Sequence, residues 1–454
     1  MKILIISANQ ELEPYPVAPI GAAYIAAALK KEGHEAAILD LCFEQAPEEA
    51  IQNEISRFSP DVVGLSIRNA DNLTFGKSIF YMPYLQRITH AIRRMTSAPA
   101  IAGGSGFSIF PEAALRFLGI DYGIVGAGDE AVVLFANALE NGKDLASVPN
   151  FCMIRDDRFI MNPVRYGLSF GSPDRSFLDN RRYMQLGGMG NIQAKRGCPF
   201  KCTYCTYPAL EGDQLLMRPP DEVAAEMKEA AERYGIDYLF FVDDIFNFPQ
   251  EYAAAVCDSI IKSGVRMDWT CFATPLGMTR DLAGLMKAAG CKAVEFGSDA
   301  GACKTLEAFG KPFSSEEIAN AAECCRSVDL PNAHYIIMGG PGEDSSTISE
   351  TFRLFDSIRP SAAIALIGVR IYPDTPLRLR AVEEGVISES SNLFEPEFYL
   401  TREIEPEMLM RTVTDKASAR PNWIVPSLGI RCNTEVMSTL RKLGRKGPLW
   451  DLLA

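Results

Sequence analysis

Short apolar segments alternate with helical patterns along most of this chain, and this alternation constrains the fold more than any other feature. In the first series, helical stretches such as PIGAAYIAAALKKEGH separate the strand-like segments KILIIS, EAAILDL, PDVVGLSI, PAIAGGSG and YGIVGAG. Apolar strands connected by helices are typical of a parallel sheet that is covered on both faces. Residues 1–140 are therefore predicted to form a doubly wound α/β domain, similar to a Rossmann fold.

Residues 141–190 lack this alternation and are predicted to be a connecting segment. A second series then begins, with the candidate strands NIQAKRG, DYLFFVDD, MDWTCFAT, CKAVEFGS, AHYIIMGG and AIALIGVRIYP. Because six β/α units are fewer than the eight of a closed TIM barrel, residues 191–385 are expected to form a partial barrel. Residues 386–454 are interrupted by prolines and are expected to form a small, mainly helical cap.

Composition excludes several classes of function. The chain has 454 residues, 45 basic and 58 acidic side chains and a net charge of −13, and the basic residues are dispersed. A nucleic-acid partner is not expected, because it would require a basic face. No apolar run approaches the roughly 20 residues that span a bilayer, and no signal peptide is recognisable, so a cytoplasmic protein without a membrane partner is predicted. Three histidines are too few for a mechanism that needs several histidine ligands.

The segment AKRGCPFKCTYCTYP places Cys198, Cys202 and Cys205 in a C-x3-C-x2-C pattern. Three thiolates can hold three irons of a 4Fe-4S cluster, whereas ferredoxin clusters use four cysteines. The open fourth iron suggests that a small molecule completes the site. Gly197 and Pro199 favour a tight loop, which follows a candidate strand at the expected mouth of the barrel. A structural zinc site, which normally takes four ligands, and chance clustering remain the alternatives.

The cysteine pattern, with Tyr204 immediately before the last cysteine, resembles the signature of the radical S-adenosylmethionine (SAM) enzymes. Four later segments are similar, in the same order, to segments of the subfamily that carries an additional cobalamin domain: FFVDDIFN, VEFGSDAGACKTLEAFGKPFS, IIMGGPGEDSSTISET and RIYPDTPLRLRAVEEGVI. The resemblance covers most of residues 190–385. It implies a partial (β/α)6 barrel in which SAM chelates the open iron. An electron from the iron-sulfur cluster, delivered by an external flavodoxin or ferredoxin, then cleaves SAM to a 5′-deoxyadenosyl radical.

The same resemblance implies residues that contact SAM. Tyr204 is expected to contact the adenine through its backbone, and Asp243 to approach the methionyl or ribose end. The chain has VDD where many relatives have Gly-Gly-Glu, so Asp243 or Asp244 is expected to accept the amine; a helix N-cap is the alternative role for Asp243. By position, the other expected contacts are Glu295 and Ser298 on the ribose or carboxylate side and Gly339, Gly340 and Pro341 near the adenine.

Residues 1–140 resemble the cobalamin-binding domain of the same subfamily. The segments that carry this resemblance are PIGAAYIAAALKKEGHEAAILD, IAGGSGFSIFPEAAL and YGIVGAGDEAVVLF. Taken without it, the loops equally suit a mononucleotide-binding or purely structural flavodoxin-like domain, and the absence of G-x-G-x-x-G after the first strand weighs against NAD. The residues expected to bond the corrin amides are Ser66, Asn69, Asn72, Gly103, Gly104, Ser105, Gly106, Gly126, Gly128 and Glu130.

The chain lacks the Asp-x-His-x-x-Gly motif with which some cobalamin domains supply a histidine to cobalt. His34 is predicted to be a solvated turn residue, so the corrin is expected to bind without a histidine beneath the metal. Arg68 follows the third strand and is expected nearest to the lower face of the corrin. Its guanidinium cannot donate an electron pair to cobalt and would exclude a ligand there. The alternative is an ordinary salt bridge at the end of a strand.

Two cofactors in one chain suggest a methyl relay, because the cofactors carry the difficult chemistry. The primary hypothesis is a cobalamin-dependent radical SAM methyltransferase. It would move a methyl group from SAM via methylcobalamin to an unactivated carbon, or to phosphorus, of a small-molecule or natural-product substrate. One alternative is the same architecture performing cyclisation, ring rearrangement, oxidation or aminocarboxypropyl transfer; another is a cobalamin sensor without catalysis. Tyr335, Arg370 and Tyr372 lie near predicted strand ends and are candidate substrate contacts, with strand packing as the simpler role.

Overall fold

The computed structural model of the chain describes residues 1–167 and 170–452. These residues form two compact units. The first comprises residues 1–72, 79–179 and 209–216, and the second comprises residues 73–78, 180–208 and the chain from 217 onward. Each unit contains a seven-stranded sheet.

The sheet of the first unit confirms the predicted doubly wound fold and extends it. Its strands are β1 (Lys2–Ser7), β2 (Glu35–Asp40), β3 (Val62–Ser66), β4 (Ala100–Gly103), β5 (Tyr122–Ile124), β6 (Phe151–Arg155) and β7 (Arg158–Met161). They lie in the order β2-β1-β3-β4-β5-β6-β7. The first five are parallel, whereas β6 and β7 pair antiparallel. Part of the predicted connecting segment is therefore an edge hairpin of this sheet.

Helices cover the first sheet because their apolar residues recur at helical spacing. They are α1 (Ile20–Lys31), α2 (Pro47–Phe58), α3 (Met82–Met95), α4 (Ser105–Ser108), α5 (Pro111–Leu118) and α6 (Asp129–Glu140). The core between the sheet and helices α1 and α6 includes Ile3, Leu29 and Phe135. The ring of Phe135 stacks on that of Phe151, with centroids 5.6 Å apart. The edge hairpin is thus part of this core.

His34 is buried, so its predicted exposure to solvent is wrong. The exposed fraction of the residue is 6%. Its Nδ1 lies 3.3 Å from the amino group of Met1, and its Nε2 lies 3.1 Å from Oδ1 of Asn137. The turn after α1 therefore uses the imidazole to join β2 to the end of α6.

The second unit contains a parallel sheet whose strands follow one another in sequence. Its strands, with the short pairs beside them, are β8 (Gly190–Ile192), β9 (Lys195–Arg196), β10 (Leu216–Met217), β11 (Tyr238–Phe241), β12 (Asp268–Ala273), β13 (Cys291–Asp299), β14 (Asn332–Met338), β15 (Ala362–Ile367), β16 (Val369–Arg370), β17 (Phe398–Tyr399) and β18 (Trp423–Ile424). The order is β8-β11-β12-β13-β14-β15-β18. The first six strands of this order are those predicted for the partial barrel. The seventh, β18, lies in the region predicted to be mainly helical.

Helices connect these strands, and several of them pack on one face of the sheet. They are α7 (Asn180–Gly187), α8 (Tyr207–Glu211), α9 (Pro220–Tyr234), α10 (Gln250–Ser263), α11 (Arg280–Ala288), α12 (Cys303–Ala308), α13 (Ser315–Arg326), α14 (Ser345–Ile358), α15 (Pro376–Glu383), α16 (Pro406–Ser418) and α17 (Thr434–Lys442). Four short 3-10 turns are Leu145–Ser147, Arg175–Phe177, Pro426–Leu428 and Leu449–Leu452. In the part of the chain that is described, the helices are all too short or too polar to cross a bilayer.

Alternation along the second set of strands separates two environments. One face carries Leu239, Phe241 and Trp269, which form a core with α9, α10, α11 and α13. The opposite face is the inner face of the partial barrel. There Phe272 and Leu366 each remain 38% exposed, while near the strand starts Trp450 packs against small and aliphatic residues of β13 to β18. The inner face is therefore filled at one end and open further along the strands.

Candidate functional site

The three cysteines lie in the loop between β9 and α8, and its backbone is tied to the rest of the second unit. Gly197 has φ +90°, a left-handed conformation that favours glycine, immediately before Cys198. The backbone N–H of Thr203 donates to the carbonyl of Phe309 at 2.9 Å, and the carbonyl of Thr203 accepts from Leu377 N–H, also at 2.9 Å. Two main-chain hydrogen bonds therefore fix the loop between its second and third cysteines.

The three thiols are chemically suited to a cluster. All three are free, so each is available as a ligand. Within the described residues, no three His, Cys, Asp or Glu side chains are grouped so as to hold a single metal ion. A cubane cluster does not require such convergence, because each thiolate binds a different iron. A donor set of three thiols fits a 4Fe-4S cluster with one open iron better than it fits tetrahedral zinc.

Asp243 does not face this loop, which corrects the expectation that it approaches SAM. Its side chain is fully buried. Oδ1 accepts from the N–H of Ala194 at 2.6 Å and of Lys195 at 3.2 Å, and Oδ2 lies 3.4 Å from the Lys195 ammonium. The N-cap alternative is also wrong, since α10 begins only at Gln250. Asp243 joins β11 to the segment between β8 and β9.

Asp244, one residue later, is the carboxylate that acts on the cysteines. Its negative charge raises the pKa of both Cys198 and Cys205. Both aspartates lie in the bend after β11, where Asp243 is buried and Asp244 is only partly buried. Of the two aspartates expected to accept the amine of SAM, Asp244 stays the prediction.

Two further residues expected at SAM, Glu295 and Ser298, bond to protein groups. The carboxylate of Glu295 accepts from Trp450 Nε1 at 2.8 Å and from the Tyr335 hydroxyl at 3.0 Å. Burial raises the pKa of Glu295 to about 7. Ser298 Oγ lies 2.7 Å from Nδ1 of His334, whose pKa burial lowers to about 3, so the imidazole is neutral. Both side chains bond inside the second unit.

The turn after β14 is held by a buried glutamate. Gly339 has φ +88°, and a Cβ on Gly340 would lie 2.2 Å from the Phe309 ring, so both positions require glycine. Their N–H groups donate to Glu343, whose pKa burial raises to about 8. Pro341 completes the turn. The carbonyl of Gly339 accepts from Thr401 N–H at 2.8 Å. The turn is thus preorganised, as expected for a backbone that approaches a ligand closely.

Arg370 is not available as a substrate contact, which corrects that prediction. The residue is 5% exposed, and its guanidinium donates to the carbonyls of Ile371 at 2.6 Å and Leu393 at 2.8 Å. The ring of Tyr372 lies 5.0 Å from the same guanidinium. Tyr335 differs, because it lies on the inner face of the barrel, with its ring 6.2 Å from that of Phe272. Of the three residues, Tyr335 therefore remains the candidate substrate contact.

In the first unit, a cavity of about 200 Å³ lies beyond the carboxyl ends of β1 and β3. The strand order reverses between these two strands, and ligands of open α/β sheets bind at such a point. The cavity is lined by Ala8, Asn9, Gln10, Glu11, Ser66, Ile67, Arg68, Asn69, Tyr81, Tyr84 and Leu85. The buried hydroxyl of Tyr84 has no hydrogen-bond partner. An unpaired buried hydroxyl is costly, so the cavity is suited to a polar ligand.

Arg68 is exposed at this cavity and forms no salt bridge with any acidic group among residues 1–167 and 170–452. The salt-bridge alternative is therefore not what the fold contains. Ser66 and Asn69 also line the cavity, as predicted for cobalamin contacts. The Ser105 hydroxyl donates to the carbonyl of Arg68 at 2.8 Å. The expected lower-face residue is thus a free cation beside an open cavity.

The other loop residues mostly hold the loops together. A Cβ on Gly104 would lie 2.5 Å from the carbonyl oxygen of Ile67, and one on Gly106 would lie 2.8 Å from the backbone of Asn69. Only glycine permits this close approach. The positions of the remaining predicted residues are as follows: Asn72 accepts from Ile79 N–H, Gly103 ends β4, Gly126 N–H donates to Ser108, and Gly128 and Glu130 stand at the start of α6.

Comparison with known proteins agrees with both sites. Residues 192–355 match the family model of the Radical SAM superfamily, and residues 13–136 match that of the B12 binding domain. The chain contains a radical SAM domain and a B12 binding domain. The first match contains the cysteine loop and β9 to β14, and the second contains Arg68 and most of the residues that line the cavity.

Several relatives of this radical SAM protein are methyltransferases. The tryptophan 2-C-methyltransferase of Streptomyces laurentii is 25% identical, covering 82% of this chain and 73% of the relative. The cytidylyl-2-hydroxyethylphosphonate methyltransferase of Streptomyces wedmorensis is 24% identical over 74% of this chain and 72% of its own. The solved structure of TsrM from Kitasatospora setae, with cobalamin and a [4Fe-4S] cluster bound, has a TM-score of 0.89 and 21% identity, covering 100% of this chain and 97% of TsrM. That similarity supports the fold of the radical SAM protein.

Three residues that the sequence did not single out lie near the predicted SAM residues. Lys311 and Asp299 form a buried ion pair beside Tyr204, and Trp450 bonds Glu295 from a position 155 residues later. Lys311 lies in the segment quoted for the family resemblance, so that match was the available signal. Nothing in the local sequence around Trp450 indicates its partner.

Proposed function

We propose that this protein is a cobalamin-dependent radical SAM methyltransferase that moves a methyl group from SAM, through cobalamin, to carbon or phosphorus of a small molecule. The observation that carries the proposal is the combination, in one chain, of a three-thiol loop after the first strand of a partial barrel and a B12 binding domain with an open cavity. The methyltransferase names of its relatives support the reaction class.

In this proposal Cys198, Cys202 and Cys205 hold the cluster, and Asp244 accepts the amine of SAM. When bound, the cluster supplies the electron that cleaves SAM, and cobalamin carries the methyl group. An external one-electron donor of the flavodoxin or ferredoxin type reduces the cluster. The twelve cysteines are free, which supports a reducing, cytoplasmic location.

Arg68, Ser66 and Asn69 contact cobalamin in this proposal. The exposed guanidinium of Arg68 has no acidic partner within residues 1–167 and 170–452, so it places a positive charge at the cavity, and it has no lone pair to offer a metal. When cobalamin is bound there, Arg68 would leave the metal without a protein electron-pair donor at this position. The interior location of His34 supports the same conclusion, because its two ring nitrogens are already bonded.

The inner face of the partial barrel supports a small, largely apolar substrate. Phe272 is exposed there and meets the ring of Phe240 at 4.7 Å. A Cβ on Gly297 would have no atom within 4 Å, so the wall has an open position near Tyr335. The relative TsrM has been solved with a tryptophan substrate bound, which is compatible with such a wall.

One experiment separates the proposal from its alternatives without knowledge of the substrate. Protein reconstituted anaerobically with iron, sulfide and hydroxocobalamin, then reduced, is incubated with SAM that carries a labelled methyl group. We expect label on the cobalamin. A cluster-loaded protein that leaves cobalamin unlabelled would be a sensor or an enzyme of a non-methylating class.

The cluster assignment has its own control. Replacing Cys198, Cys202 and Cys205 together by Ala should abolish iron and sulfide binding. The matched triple variant replaces Cys303, Cys324 and Cys432, which lie outside the loop and are not fully buried, and should bind both in full. Equal loss in the two variants would show that the loop does not hold the cluster.

A further inference from the structure

A buried lysine lies directly beside the cysteine loop. The side chain of Lys311 is only 7% exposed. Its Nζ lies 2.5 Å from Oδ2 of Asp299 and 3.3 Å from the carbonyl oxygen of Gly297. Burial raises the pKa of the Cys202 thiol, and the positive charge of Lys311 opposes that rise. A fixed positive charge therefore lies beside the cysteine loop.

Two residues hold the ammonium in this position. The hydroxyl of Tyr204 donates to Oδ2 of Asp299 at 2.5 Å, and its oxygen accepts from Lys311 at 3.3 Å. Tyr204 stands between Cys202 and Cys205 in the loop, and its ring packs edge-on against Phe309 with centroids 5.5 Å apart. The loop itself therefore contributes one of the groups that place Lys311.

A purely structural ion pair would not require this arrangement. Buried pairs contribute little net stability, because desolvation offsets their attraction, and an apolar side chain would fill the same space. At Cys198 the positive charge opposes part of the rise in pKa that burial causes, and the charge of Cys205 in turn helps to raise the pKa of Lys311. The lysine is therefore close enough to the loop to act electrostatically on its thiols.

We propose that Lys311 is a positioning residue that raises the reduction potential of the iron-sulfur cluster through its buried positive charge, which Asp299 and Tyr204 hold beside the cysteine loop. The inference rests on the proposed function, which supplies the cluster. Reduction adds one electron to the cluster from the external donor and transfers no atom. A nearby cation stabilises the more negative, reduced state of the cluster.

The test is a potentiometric titration of the reconstituted cluster, followed by EPR without SAM, so that activity is not the readout. Lys311→Met keeps the length of the side chain and should disfavour reduction by about tenfold, or about 59 mV for a one-electron couple. Lys311→Arg keeps the charge and should retain most of the wild-type potential. The matched control is Lys304→Met, because Lys304 is an exposed lysine paired with Asp344, and its loss should leave the potential unchanged.

A second variant should shift the reduction potential of the cluster in the opposite direction. Asp299→Asn removes the negative charge while preserving the left-handed conformation at φ +62°, which asparagine tolerates. The ammonium stays charged beside the anionic cluster, so the potential should rise. If Lys311→Met fails to load the cluster, this variant decides the question.

The outcomes distinguish a failure of the proposed function from a failure of the role proposed for Lys311. Wild-type protein that binds no iron and sulfide would contradict the proposed function. Wild-type protein that loads the cluster, with Lys311→Met or Asp299→Asn loaded but unchanged in potential or shifted in the reverse direction, would overturn the role of Lys311 alone.

Discussion

Replacing Glu295 by Gln should make the second unit more stable at neutral pH and remove part of its pH dependence. The carboxylate is 3% exposed and has two donors, Trp450 Nε1 and the Tyr335 hydroxyl. A glutamine can keep both contacts, because its carbonyl oxygen accepts from the indole and its amide can donate to the tyrosine oxygen once the hydroxyl of Tyr335 rotates. The substitution therefore removes the charge and keeps a hydrogen-bonding group opposite each of the two partners.

The magnitude follows from the pKa. Burial raises the pKa of Glu295 from 4.5 to about 7, which makes ionisation in the folded protein cost roughly 3 kcal/mol more than in the unfolded chain. Between these two values the folded state holds a proton that the unfolded state has released, so the free energy of unfolding falls as pH rises. The wild type should lose roughly 3 kcal/mol relative to Glu295→Gln between about pH 4.5 and pH 8.

The assay is denaturant unfolding at several pH values, followed by tryptophan fluorescence. The three tryptophans, Trp269, Trp423 and Trp450, all belong to the second unit, so the signal reports that unit. Trp450→Phe removes one donor from the carboxylate and should extend the loss of stability to higher pH. If wild type and Glu295→Gln differ by the same amount at every pH, the carboxyl does not titrate in this range and the argument from burial is wrong.

Three further predictions concern the remaining site residues. Arg68→Ala should leave cobalamin binding largely intact but lower the cob(II)/cob(I) midpoint potential, measured by spectroelectrochemistry. Arg68→Lys should give an intermediate potential, because lysine keeps the charge without the planar fork. Unchanged potentials in both variants would show that Arg68 does not lie at the lower face. The EPR spectrum of bound cob(II)alamin should lack nitrogen splitting, because both ring nitrogens of His34 are bonded; a nitrogen triplet would reveal another donor. Gly340→Ala should destabilise the second unit by about 1–3 kcal/mol in fluorescence-detected unfolding, because its Cβ would meet the Phe309 ring at 2.2 Å; wild-type stability would show that the ring moves aside.

Both sheets could be predicted from the sequence, because their strands are apolar runs bounded by amphipathic helices. The cysteine loop could also be predicted, since all three thiols lie within eight positions. The β6–β7 hairpin was missed because its strands are short and are not followed by helices. Its membership of the first sheet depends on packing such as that between Phe135 and Phe151, which local pattern does not show.

The errors at the site have a common physical origin. Asp243 and Asp244 are adjacent, and only the direction of the strand end decides which one is buried against Lys195. Arg370 resembles a binding residue in sequence, but its guanidinium donates to the carbonyl of the next residue and to that of Leu393, 23 residues later. The partner of Glu295 lies farther still along the chain. Such pairings are set by tertiary contacts, so residue type and spacing do not predict them.

In the second sheet, from β8 to β18, the strands lie side by side in the same order in which they occur along the chain. During translation, each of these strands can therefore pair with a neighbour that has already left the ribosome. Only the one segment that connects the two strands has to form a loop for each new pair. Glu295 emerges long before Trp450, so on the nascent chain its carboxylate remains hydrated and ionised at neutral pH. The arrival of the indole desolvates it. We expect the strands to assemble in the order of their synthesis, with the inner face sealed near the strand starts only after residue 450 has been released.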